Sequence, residues 1–197
     1  MQALTDIFSH FCGQGSCFVV GGAALPVCQR CLGLYLGALL TAGWLAASGI
    51  WRRGLGSWSV FLVNELTLLA AMLGGAHVWD GPPVWKLTCG LWTGHVMLLW
   101  LVGGGGHLWR LSRPARPAQL PWRTGEKLQG LAAPLLLAGL AQIVPLLLPI
   151  GWAVWALAVA AGSVALAVAV GGATAALGTY LAVGVRRVRR RASLIRG

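Results

Sequence analysis

The sequence predicts an all-α integral membrane protein of about five transmembrane helices, with its N-terminus outside and its C-terminus in the cytoplasm. Three observations carry this expectation. Hydrophobic residues make up 57% of the 197-residue chain and charged residues only 10%, whereas a soluble domain carries about 25% charged residues. Apolar runs of spanning length recur along the chain, and Lys and Arg collect in alternate loops between them. The formal net charge of +11 arises from fifteen Lys and Arg against four Asp and Glu. In a soluble chain it would point to nucleic acid, but in loops between apolar runs it sets orientation, so no nucleic-acid partner is expected.

The opening residues through Phe11 include Asp6 and no Lys or Arg. They lack the basic region of a secretory signal and are expected to be retained. Residues 1–30 form an extracytoplasmic Cys-rich segment. A three-helix region then covers residues 31–103. A spanning helix needs about 20 mostly apolar residues, and the first is expected over about 31–50, closed by Trp51, Arg52 and Arg53. The second runs over about 58–79 and stops at Asp80, Gly81, Pro82 and Pro83; the third runs over about 84–102 and ends in Gly103 to Gly106. Residues 104–127, with Pro114, Pro117, Pro121 and five basic residues, read as a cytoplasmic loop. Membrane helices follow over 128–185. The fourth covers about 128–148, and the apolar stretch 151–185 is too long for one ordinary span, so it is counted as a single crossing with an open path. Residues 186–197 are a basic cytoplasmic tail.

Loop charge fixes the orientation. Arg52, Arg53, Arg110, Arg113, Arg116, Arg123, Lys127, Arg186, Arg187, Arg189, Arg190, Arg191 and Arg196 fall on one side, and only Arg30 and Lys86 on the other. The rich side is the cytoplasmic one. Trp51, Trp58, Trp109 and Trp122 fall near the inner edge and Trp79, Trp85, Trp152 and Trp155 near the outer, where indoles favour the interface. For any single Trp, simple packing is an equal alternative.

Cys12, Cys17, Cys28 and Cys31 lie within twenty residues, the last pair as a CxxC opening the first helix. A two-residue gap lets two thiolates face one tetrahedral ion, so a four-Cys site for zinc or an iron-sulfur centre is the leading reading. Structural disulfides are the main rival, because thiols outside the cytoplasm tend to pair. Redox exchange is the third reading, since a cysteine at a helix N-terminus has a lowered pKa. The fifth, Cys89, lies inside the third helix and reads as packing.

These residues carry a resemblance. The run from Pro26 through Cys28, Arg30, Cys31, Gly33 and Tyr35 to Gly37 resembles the signature of a family of predicted prokaryotic membrane proteins known as domain of unknown function 2085, Pro-x-Cys-x-Arg-Cys-x-Gly-x-Tyr-x-Gly. Asp80 and Gly81, followed by Lys86, Thr88, Gly90 and Gly94, are similar to a second part of the pattern, so the resemblance spans roughly residues 8–100. It implies a multi-pass protein of a prokaryotic cytoplasmic membrane and assigns no activity. The family pattern has His after the first Cys and Ser before the Phe; here these are Gly13 and Cys17. If the family site is three Cys and one His, one ligand has been exchanged for another, which favours metal, with His10 as an alternative ligand.

Ionisable groups within spans are functional candidates. Glu65 is expected about 10 Å and His95 about 12 Å from the cytoplasmic edge of their helices. A Glu65–His95 pair, with Asn64 nearby, suits a proton relay or a ligand, against a plain polar clamp between helices as the commoner role. His77 and Asp80 reach the outer face, where they suit support of the metal site alongside His10; Asp80 also suits a turn. His77 and His95 differ in depth by more than one haem bridges, so haem is not expected.

The sequence therefore favours a non-enzymatic component, a small subunit of a larger membrane assembly, in contact with lipid bilayer and protein partners. The first alternative is a membrane thiol-disulfide oxidoreductase using Cys28/Cys31 and Cys12/Cys17 and passing electrons towards a quinone. The second is a small transporter using Glu65 and His95, weakened by the lack of broken helices or repeats.

Overall fold

The computed structural model describes residues 17–50, 58–75, 81–112 and 122–196. The Cys-rich segment, for which no strand was expected, contains a hairpin of β1 (Cys17–Val20) and β2 (Ala23–Cys28). Its loop is Gly21 and Gly22, at φ 58° and 82°. Two consecutive positive φ values make the hairpin turn whose twist matches the strands, and glycine adopts them without a Cβ penalty. Val20 pairs with Ala23 and Val19 with Ala24, after which the register slips and Cys17 pairs with Cys28. Pro26, which has no N–H to give a ladder, sits in the irregular stretch. Leu25 and Val27 are almost fully buried and join the core at this end of the bundle.

Five helices follow: α1 (Gln29–Ser48), α2 (Trp58–Gly75), α3 (Pro83–Leu111), α4 (Thr124–Leu147) and α5 (Trp152–Arg196), with a short 3-10 turn, Leu148–Ile150, before the last. Cys28 caps the N-terminus of α1, and Gly49, at φ 67°, ends it by donating its N–H to the Leu45 carbonyl at 3.1 Å. Pro83 opens α3 at a position where its missing N–H costs nothing. At the start of α4 the backbone N–H of Arg123 donates to Glu126 Oε2 at 2.7 Å.

The bundle is organised on a seam between α1 and α3. A Cβ at Gly33 would strike the Leu87 carbonyl oxygen and one at Gly37 the Leu91 carbonyl oxygen. Reciprocally, a Cβ at Gly90 would strike the Arg30 carbonyl oxygen and one at Gly94 that of Leu34. Partners advance together in both helices, so α1 and α3 run parallel. Lipid tails are as apolar as leucine, so membrane helices associate through such close packing more than through a hydrophobic effect, and small residues four apart permit it. Gly162 brings α5 onto the backbone of Tyr35 in the same way, and Gly105 of α3 lies against Ala173. The central helix is α3: it contacts each of the other four, and 56% of its apolar window is buried, against 22% for α4.

Four helices are long and apolar enough to cross a bilayer, and the apolar part of α2, Ser59–Leu73, is shorter. The large side chains they turn outward are apolar: Leu62, Leu66 and Leu69 on α2, Leu135, Leu136 and Leu146 on α4, Leu157 and Val168 on α5. Such a surface is stable against lipid and would aggregate in water.

Several sequence-based boundaries change. Gly103 to Gly106 do not end α3, which continues to Leu111. Without water to pair with, backbone groups at membrane depth must be satisfied internally, so a glycine run there stays helical. The fourth helix, α4, starts at Thr124 rather than about residue 128 and keeps Pro134 and Pro145 within it, as the expected span did. The open path of 151–185 is one continuous helix of 45 residues, Trp152–Arg196, about 68 Å long. Trp122 lies just before α4 and Trp155 in the first turn of α5, at helix ends, and at 5% and 7% exposure both pack in the core.

Candidate functional site

At the hairpin end, three of the four candidate cysteines come from adjoining elements. Cys17 opens β1 directly across from Cys28, the last residue of β2, and Cys31 lies in the first turn of α1. Residues opposed in an antiparallel pair have Cα atoms about 4.5–5.5 Å apart. The backbone N–H of Cys31 donates to Cys28 Sγ at 3.5 Å, the contact expected where a CxxC starts a helix. Cys28 is 3% exposed, while Cys17 and Cys31 are half-buried. Burial raises the Cys17 thiol above its ordinary pKa, and a charge on Cys28 would raise it further.

No disulfide joins any two of the described cysteines. Among the described residues no three His, Cys, Asp or Glu side chains are gathered as a metal site. Cys12, His10, His77 and Asp80 lie outside the described residues. Cys89 is buried within α3, in keeping with packing.

Within the membrane, the structure gives Glu65 and His95 separate partners. Glu65 Oε1 accepts from Trp100 Nε1 at 2.6 Å, and the Trp100 ring meets Phe61 edge-on with centroids 4.9 Å apart. This clamp ties α2 to α3. His95 instead faces α1, where Nδ1 is 2.8 Å from Thr41 Oγ1. Both residues are buried, at 3% and 2% exposure. Depth alone suggested a Glu65–His95 pair, but Trp100 follows His95 by five residues, about 140° around a helix of 3.6 residues per turn. The two polar groups are served by different faces of α3. Asn64 Nδ2 donates to the Val60 carbonyl at 2.7 Å, within its own helix.

Three features were not singled out from sequence: Thr41 as the His95 partner, Trp100 as the Glu65 partner, and the glycine seam. The seam had a readable signal, since Gly33/Gly37 and Gly90/Gly94 are both small-xxx-small pairs within apolar runs. The polar partners had none, because helix rotation is set by packing.

A bundle of apolar-faced helices with a cysteine-bearing hairpin at one end defines a polytopic membrane protein. Residues 12–102 match the family model described as predicted membrane protein, DUF2085. The matched segment spans the hairpin, α1, α2 and the seam-forming part of α3. No curated protein and no solved structure matches the chain.

Proposed function

We propose that the protein is a small, non-enzymatic subunit of a membrane assembly, in which Cys12, Cys17, Cys28 and Cys31 hold a structural or electron-transferring metal, as zinc or an iron-sulfur centre. The hairpin lies on the outer face. The charge asymmetry supports that orientation, since the described ends opposite the hairpin carry Arg110, Arg123, Lys127 and Arg186.

The carrying observation is the placement of Cys28. Its sulfur is buried, accepts an N–H from Cys31 and faces Cys17 across the hairpin. An N–H donated to sulfur stabilises a thiolate ligand, and an all-sulfur donor set suits zinc or an iron-sulfur centre. Burial also weighs against thiol exchange, because an attacking thiolate must reach its partner. Ligation draws the three described thiols and Cys12 onto one ion and releases their protons, so it works against the raised pKa of Cys17.

A structural disulfide between Cys17 and Cys28 is the second reading. Opposed strand positions fall within the Cα separations a disulfide accepts, about 4.4–6.8 Å. Elemental analysis of the purified chain, with a thiol count in denaturant before and after chelation, separates the two. Bound zinc or iron with all five cysteines reduced supports the metal site. Metal-free protein with paired cysteines overturns it in favour of the disulfide.

A further inference from the structure

Glu65 is the one acidic residue in the interior of a described helix, and half of its carboxyl is unserved. Oε1 accepts from Trp100 Nε1. Oε2 accepts from no described residue, and it is not among the polar atoms sealed from the surface. The side chain lines a hollow of about 330 Å³ between α2 and α3, walled by Leu68, Met97, Trp100 and Leu101. Glu65 lies seven residues after Trp58, about 10 Å along α2 and deeper than lipid headgroups. An ionised carboxyl among lipid tails is costly. A proton on Oε2 removes the charge but not the demand, because it turns an acceptor without a donor into a donor without an acceptor.

The face of α2 beside Glu65 has the pattern of a helix seam. Leu62, Leu66, Leu69 and Leu73 recur at spacings of four, three and four and are 48%, 58%, 56% and 48% exposed. This is the 3.5-residue repeat along which one helix packs on another. The neighbours of α2 are chiefly α3 and α4, and the leucines face away from both. At about 100° per residue, Glu65 lies about 70° round the helix from the middle of the stripe, on the side that Trp100 ties to α3. Charged residues flanking an apolar seam set the choice of partner in helix pairs. A leucine stripe is ordinary against lipid, but a carboxylate on its flank is not.

We propose that the Leu62–Leu73 face of α2 docks a transmembrane helix of another protein, and that this helix carries a Lys or Arg within its span that donates to Glu65 Oε2. This partner presupposes that the chain is a subunit of a membrane assembly and is independent of the metal. Charge complementarity selects it. Lipid tails or a wholly apolar helix cover the stripe and leave Oε2 unserved. A second copy of this chain fails in the same way. In the described helices every Lys and Arg lies in a first or last turn or in the basic tail of α5, and none at the depth of Glu65. A basic side chain inside a span is as costly as the carboxylate, and pairing the two offsets both costs.

The test places the full chain in phosphatidylcholine nanodiscs with labelled Leu/Ala helices of spanning length that carry Lys, Leu or Glu at the depth of Glu65. Binding is read by energy transfer. The Lys helix is expected to bind about tenfold more tightly than the Leu helix, the worth of one polar contact between membrane helices. Glu65→Gln keeps an acceptor for Trp100, so the helical circular dichroism signal persists while the preference for Lys disappears. Ala at Leu62 and Leu69 together weakens the Lys helix severalfold through lost packing. In mild-detergent extracts of its own membranes the chain is expected in a larger species. Four results overturn the basic-helix surface and leave the assembly reading standing: equal affinity for the Lys and Leu helices, a Lys preference that survives Glu65→Gln, tightest binding of the Glu helix, or binding unchanged by the two Ala substitutions. Energy transfer between two differently labelled chains that Glu65→Gln abolishes gives the surface to a second copy and also overturns it. A chain that leaves its own membranes as a single species overturns the assembly reading, and the partner with it.

Discussion

Gly94 shows how much a single hydrogen atom decides here. Its side chain is absent because the space is held by the Leu34 carbonyl, and that carbonyl belongs to a helix backbone that cannot move aside cheaply. Gly94→Val is expected to lower bundle stability by about 1–3 kcal/mol or more, the range for overpacking a tight core. Gly104, in the same helix with nothing within 4 Å of an added Cβ, is the control. Gly104→Ala should be neutral or stabilise by up to about 1 kcal/mol. Thermal unfolding in detergent compares the two. Cys17 gives a prediction in pH. Because burial favours its neutral thiol, alkylation of Cys17 in metal-free folded protein should turn on at higher pH than for an unperturbed cysteine. In denaturant the difference should vanish. The sign for stability follows: with a folded pKa above the unfolded one, the contribution is full at neutral pH and is lost as the pH rises past the unfolded value.

At the scale of elements, the hairpin matters because it sets which cysteines meet. Its loop needs two left-handed residues, so replacing Gly21 and Gly22 together by Val should cost about 1–2 kcal/mol at each position. It should also loosen the Cys17–Cys28 opposition while leaving α1 to α5 in place. Crosslinking between Cys17 and Cys28 by a mild oxidant, against an unchanged helical circular dichroism signal, checks this. The helices themselves were legible in the sequence because a bilayer demands long apolar runs and basic ends, signals that survive without any knowledge of packing. The hairpin was not, because Gly21-Gly22 in a short Cys-rich stretch reads equally as a loop. The clamp between Glu65 and Trp100 was out of reach for a different reason. Depth follows from counting residues, but the rotation of each helix about its axis is set by its neighbours, and here the glycines of α1 and α3 set it. The cysteine site is the intermediate case: spacing flagged all four residues, and the fold brings the described three to one end.

For the whole molecule, the alternation of elements puts the hairpin, the start of α3 and the turn between α4 and α5 at one end. The hydrogen bond from Trp152 Nε1 to the Ala24 carbonyl, at 3.3 Å, joins hairpin and α5 there. If the basic end is cytoplasmic, a cysteine at Val19, 64% exposed on the hairpin, should react with an impermeant maleimide on intact cells above the level of the parent chain. One at Thr124, at the exposed start of α4, should react only after permeabilisation. The reverse pattern would invert the molecule in the membrane. Whichever way it faces, the glycine seam has a mechanical consequence. Two helices locked backbone to backbone slide or roll past each other only by first separating, so α1 and α3 behave as one double-width axle. Gly162 seats α5 on the Tyr35 backbone of the same axle, so any movement this protein makes in the bilayer belongs to α2 and α4, and the Thr41–His95 bond rides on the axle unchanged.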